Sequence, residues 1–173
     1  MMVPEKIALW MDRALCLARE AEQLDEVPVG AVLVCDNKVI AEGMNLREKN
    51  GRTLAHAELL ALENYNRTSK SWRLPPNTTL FVTLEPCLMC TGALLSARLA
   101  SVVYGGRDTK DAGLNRLRPW IEQGIFDQKF EYIIGGIQED TCSQLLSQYF
   151  VRKRTSLQLD REPNQESTMA NHL

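Results

Sequence analysis

Apolar residues recur at helical spacing near the start of the chain. Ile7, Trp10, Met11, Ala14, Leu17, Ala18 and Ala21 form one stripe, which predicts an amphipathic helix from about Pro4 to Gln23 packed on a sheet. The pattern then changes to strand-like runs. Val29 to Cys35 and Lys38 to Ala41 flank the turn-forming pair Asp36-Asn37 and read as a hairpin. Three more strands are expected over Thr79 to Leu84, Ser101 to Tyr104 and Phe130 to Gly135. Helical spacing returns from His56 to Glu63, from Pro86 to Arg98, and over a last long helix from about Glu139 to Leu157. Strand, helix and strand in succession across residues 79 to 104 predict a parallel pair with a right-handed crossover. The elements add up to an α/β fold: a three-layer α/β/α sandwich around a mixed five-stranded sheet. The stretch Arg107 to Arg118 reads as a loop, with Pro119-Trp120-Ile121 starting a short helix or turn.

Composition narrows the class. A chain of 173 residues, 45% hydrophobic and 24% charged, can bury one sizeable core. Residues 160 to 173 have almost nothing to bury and are expected to be a disordered tail, leaving 1 to 159 as a single domain. No apolar run reaches membrane-spanning length, and Glu5 and Lys6 interrupt any signal-like segment, so a cytoplasmic protein is expected. Cys16, Cys35 and Cys142 lie in apolar elements and act as small hydrophobes. Net charge is −2 with a pI near 5.8. The tail holds Asp160, Glu162 and Glu166 against Arg161, so residues 1 to 159 carry no formal net charge. Any nucleic acid would need a local basic patch, and Arg152-Lys153-Arg154 is one candidate.

The chemistry concentrates in two short motifs, His56-Ala57-Glu58 and Pro86-Cys87-Leu88-Met89-Cys90. The chain has two histidines, and the other, His172, lies one residue from the end, so His56 is the candidate imidazole. Alone, Cys87 and Cys90 also suit a redox pair or half of a zinc knuckle. Alone, His56 and Glu58 suit a helix start. Together they give three zinc ligands and one free carboxylate, the inventory of a hydrolytic zinc site with a coordination position left for water. His56 is expected in the first turn of one helix with Glu58 beside it. Pro86 is expected in the first turn of another, with Cys87 and Cys90 on one face. Helix N-termini lower thiol pKa and favour the thiolates a metal requires. Glu58 is then the catalytic proton carrier.

Further segments extend the pattern: Val27-Pro28-Val29-Gly30-Ala31-Val32-Leu33-Val34, Glu42-Gly43-Met44-Asn45, Ala55-His56-Ala57-Glu58, Phe81 to Cys87, and Val102 to Lys110. In this order and spacing, over about residues 5 to 155, the chain resembles the bacterial tRNA-specific adenosine deaminases of the cytidine deaminase-like superfamily. The resemblance implies zinc-dependent conversion of adenosine to inosine at the wobble position of a tRNA anticodon loop, by a homodimer. It implies substrate contacts from Val29, Asn45, Arg107, Asp108 and Lys110, and RNA contacts from Tyr149, Phe150 and Arg152 on the last helix. Residue by residue, plainer readings stay open: an Asx-type turn for Asn45, a solvated turn for Arg107 to Lys110, and complementing a helix end for Arg152 to Arg154. Arg52-Thr53-Leu54 and Asp111 to Leu117 depart from the family pattern beside the expected substrate mouth. Two rival functions also stay open: deamination of a free cytosine, cytidine or guanine, and a non-catalytic zinc-stabilised RNA-binding subunit, against which Glu58 argues.

Overall fold

The structure, a computed structural model, describes residues 4 to 108 and 112 to 159. Strands β1 (Gly30–Cys35), β2 (Lys38–Met44), β3 (Thr79–Leu84), β4 (Ser101–Gly106) and β5 (Tyr132–Ile134) form one sheet in the order β2-β1-β3-β4-β5. β1 runs antiparallel to both β2 and β3, while β3, β4 and β5 are parallel. The mixed sheet is the expected one. Asp36 and Asn37 take φ of 47° and 58°, the paired left-handed turn whose twist matches a hairpin. β2 runs to Met44, three residues past its expected end, and carries Asn45 toward the site.

Helices cover both faces because β1, β3 and β4 are apolar on both. On one face α1 (Pro4–Gln23) and α6 (Glu139–Leu159) enclose Met11, Leu15, Val32, Val34, Phe81, Val103 and Cys142. On the other, α3 (Ala57–Ser69), α4 (Leu88–Ser96) and α5 (Gly113–Glu122) enclose Ala31, Leu33, Leu80, Val82, Leu94, Leu114 and Ile121. Adjacent residues of β1 thus serve opposite layers, as the two-residue repeat of a strand requires. A short α2 (Arg47–Asn50), ended by Gly51 at φ 56°, joins β2 to the segment before α3.

Three expectations are corrected. Pro86 lies outside α4, which starts at Leu88, because Cys87 is extended and bridges backbone-to-backbone with Ala112. His56 likewise precedes α3 as its N-cap and is outside the first turn. Part of the expected loop Arg107 to Arg118 is α5, with Pro119 inside it: Leu114, Leu117 and Ile121 bury at helical spacing, and Glu85 accepts the Asn115 N–H at 3.0 Å near the helix start. Lys110, Asp111 and the tail 160 to 173 lie outside the described residues.

Close backbone approach seats α3. A Cβ on Gly43 would lie 2.3 Å from the Ala57 carbonyl oxygen and 2.5 Å from the Ala61 nitrogen. Both are backbone atoms that cannot swing away. Gly43→Ala is therefore expected to destabilise the fold by on the order of 3 kcal/mol, read from denaturant unfolding. A wild-type midpoint would show that α3 is free to move outward.

Candidate active site

Two helix starts converge where the parallel strands end, the edge at which open α/β sheets present their loops. His56 precedes α3 with φ −73° and ψ 151°, and Cys87 precedes α4 with φ −69° and ψ 174°. Each carbonyl accepts the first helical bond, from Leu60 and from Thr91, both at 2.9 Å. Neither side chain is spent on capping its helix. Cys90, in the first turn of α4, brings the third donor.

The His56 Nδ1 lies 3.8 Å from Cys87 Sγ and 3.6 Å from Cys90 Sγ, and the three donor atoms fall within 4.8 Å of one another. Tetrahedral zinc with ordinary bond lengths would hold nitrogen and sulfur about 3.5 Å apart. The donors therefore fit zinc, and among the described residues no fourth ligand joins them. Their protonation agrees. Hydrogen bonding from Cys90 and His56 brings the Cys87 thiol down to about 4, while the neighbouring sulfur and burial push Cys90 up. The bond to Cys87 raises His56. Two close sulfurs hold a proton between them unless a cation takes its place.

Glu58, in the first turn of α3, is 4% exposed, and burial raises its pKa above the usual carboxylate range. It lines a cavity of about 140 Å³ with His56, Cys87, Val29, Asn45 and Asp108. The expected proton carrier and three expected substrate contacts therefore share one space with two of the three metal donors, His56 and Cys87. Arg107 does not line that cavity: its side chain is exposed and pairs with Glu139 at 3.6 Å. Tyr149, expected to stack on a base, is turned inward at 5% exposure, and its hydroxyl donates to the Asp25 carbonyl at 2.9 Å. Phe150, beside it edge-to-face, is exposed. Arg152 pairs with Glu22 at 2.5 Å, and Lys153 pairs with Asp25.

Sequence reasoning missed Val27, Arg47, Leu84 and Glu85 in the cavity wall, and Glu26 behind it. Glu85 directly precedes the metal motif, within the segment Phe81 to Cys87. Arg47 is brought in by α2, a helix too short to announce itself in a hydrophobic pattern.

The comparisons agree with this geometry. Residues 4–106 match the family described as the cytidine and deoxycytidylate deaminase zinc-binding region. The tRNA-specific adenosine deaminase of Bacillus subtilis is 39% identical over 142 residues, covering 82% of this chain and 87% of that protein. That of Haemophilus influenzae is 39% identical over 152 residues, covering 87% of each. A solved structure from work on A-to-I editing by tRNA:A34 deaminases at the wobble position superposes with a TM-score of 0.73 at 34% identity, covering 79% of this chain and 98% of that one.

Proposed function

The chain belongs to the zinc-dependent cytidine and deoxycytidylate deaminase family, and from that premise we infer that it deaminates adenosine to inosine at the wobble position of a tRNA anticodon loop. The observation that carries the reading is a buried carboxylate beside a His-Cys-Cys donor set, in a chain 39% identical over most of its length to tRNA-specific adenosine deaminases.

His56, Cys87 and Cys90 would hold the zinc. When bound, zinc acts as a Lewis acid that brings the pKa of a coordinated water near neutrality. Glu58 carries the protons: it accepts one from the attacking water and delivers it to the ring nitrogen beside C6, then takes the second from the hydroxyl added at C6 and passes it to the departing amine. Water adds at C6 and ammonia leaves, so adenosine becomes inosine. Burial suits Glu58 to this shuttle because a raised pKa lets the carboxyl hold a proton between steps. Val29 gives the base an apolar wall and Asn45 a polar one. Asp108 at the cavity, with Arg107 and Lys110, would meet the flanking nucleotides. Arg47 adds a cation suited to phosphate. A loop nucleotide fits because extruding its base costs less than from a duplex.

RNA binding by α6 is part of the proposal. Arg152 and Lys153 sit in surface ion pairs, each worth about 0–1 kcal/mol, so a phosphate can displace Glu22 or Asp25 at little cost. Exposed Phe150 is the ring left to stack. Reversing Arg152 and Lys153 to Glu is expected to weaken tRNA binding and flatten its salt dependence with zinc unchanged. Unaltered affinity in filter binding would remove this patch. A homodimer is also proposed: Leu54 before α3, Leu88 at the start of α4, Trp120 in α5 and Ile125 just after it are all more than half exposed, apolar side chains that a second copy would cover. No described helix is long and apolar enough to cross a membrane, and the proposed place of action is the cytoplasm. The functional test is inosine formation in an anticodon stem-loop with adenosine at the wobble position. Inosine there, and no uridine when cytidine replaces the adenosine, is expected; uridine from the cytidine substrate with no inosine from the adenosine one would overturn the reading.

A further inference from the structure

Glu26 is completely buried between α1 and β1, behind the cavity wall. Its two oxygens have separate partners. Oε2 accepts the Asn45 side-chain N–H at 3.1 Å, and Oε1 accepts the Lys49 backbone N–H of α2 at 2.7 Å. Asn45 is 6% exposed, lines the cavity and is tied at its backbone N–H to the Val29 carbonyl at 2.9 Å. A buried carboxylate is costly unless hydrogen-bonded, and an apolar residue would fill the space more cheaply. Both bonds go to elements of the cavity wall: the end of β2, and the helix that brings in Arg47.

A carboxylate accepts hydrogen bonds and donates none, whereas an amide side chain can turn either end outward. Against Glu26, Asn45 must turn its NH₂ inward, which leaves its carbonyl oxygen for the cavity. We propose that Glu26 is a positioning residue that fixes the hydrogen-bond polarity of Asn45, so that the pocket presents an acceptor to a donor group of the bound nucleoside, a ribose hydroxyl or a ring amine. The proposal rests on the reading above, in which Asn45 touches the nucleoside. It adds that discrimination at that wall is set by a residue with no substrate contact.

Exchanging the two functional groups tests it. In Glu26→Gln, the new amide keeps its carbonyl on the Lys49 N–H and turns its NH₂ toward Asn45, which must flip and show NH₂ to the cavity. With zinc retained, kcat/KM on the anticodon stem-loop is expected to fall roughly 10- to 100-fold. Asn45→Asp alone sets two carboxylates against each other and should fall at least as far. In the double variant Glu26→Gln/Asn45→Asp, the introduced amide donates to the introduced carboxylate, whose second oxygen again offers an acceptor, so kcat/KM should recover at least tenfold over the weaker single variant. Wild-type rates in Glu26→Gln, or no recovery in the exchange, would overturn the positioning role. Asn45→Ala separates the two readings. Full activity there removes the nucleoside contact and the positioning with it, whereas loss there with wild-type rates in Glu26→Gln removes the positioning alone. Should tRNA prove not to be a substrate, NMR of the Asn45 amide still decides: its protons should be protected from exchange in the wild type and lose protection in Glu26→Gln. Unprotected protons in the wild type would overturn the bond itself.

Discussion

Replacing Glu58 by Gln is expected to keep the fold and the zinc and to lower turnover by about 10²- to 10⁴-fold, the usual contribution of a positioned acid-base group. Glu58 stands beside the donor set and outside it, nearly fully buried in the same cavity. Glutamine preserves its size and cannot exchange the proton. The nearest competitor for the role is Glu85, also buried in that wall, but its carboxylate is engaged with the Asn115 N–H at 3.0 Å. Inosine formation and zinc content measured on the same preparation check the point. Turnover within a few-fold of wild type would move proton transfer to another group.

Cys87→Ser and Cys90→Ser should each reduce zinc from one per chain to near zero and abolish deamination. Each variant leaves two of the three donors that lie within 4.8 Å, and a serine hydroxyl is a poor replacement for a thiolate. Stability supplies an independent readout. A metal that binds the native state at a thousandfold excess over its Kd contributes about 4 kcal/mol, so a chelator should lower the Tm of the wild type and leave either variant unmoved. Thiolate ligation also predicts that acid releases the metal, since protons compete for sulfur. Full zinc occupancy in a well-folded Cys90→Ser protein would place the metal elsewhere.

The metal-donor cluster, with Glu58 beside it, was legible because its parts are local. His56 with Glu58, and Cys87 with Cys90, are each close in sequence at a helix start, and the rarity of histidine left one candidate. The sheet was legible because β1, β3 and β4 are apolar on both faces. Other features depend on distant partners. Glu26 looked like any acid near a helix end until its oxygens met Asn45 and Lys49, 19 and 23 residues away. α5 was hidden by Gly113 and Pro119, which punctuate a sequence but fit here because Gly113 lies against the Cys87 and Leu88 backbone, where a Cβ would come within 2.2 Å. Tyr149 was misplaced because successive helix positions point in different directions: Tyr149 is buried and Phe150, the next residue, is exposed.

The substrate is decided by incubating the zinc-loaded protein with total bacterial tRNA and, separately, with adenosine, cytidine, cytosine and guanine, then separating the products. Inosine is expected in tRNA, confined to the wobble position and lost in Asn45→Ala with zinc retained, with no comparable ammonia release from any free base or nucleoside. Rapid ammonia release from a free base or nucleoside, with tRNA unchanged, would contradict this expectation.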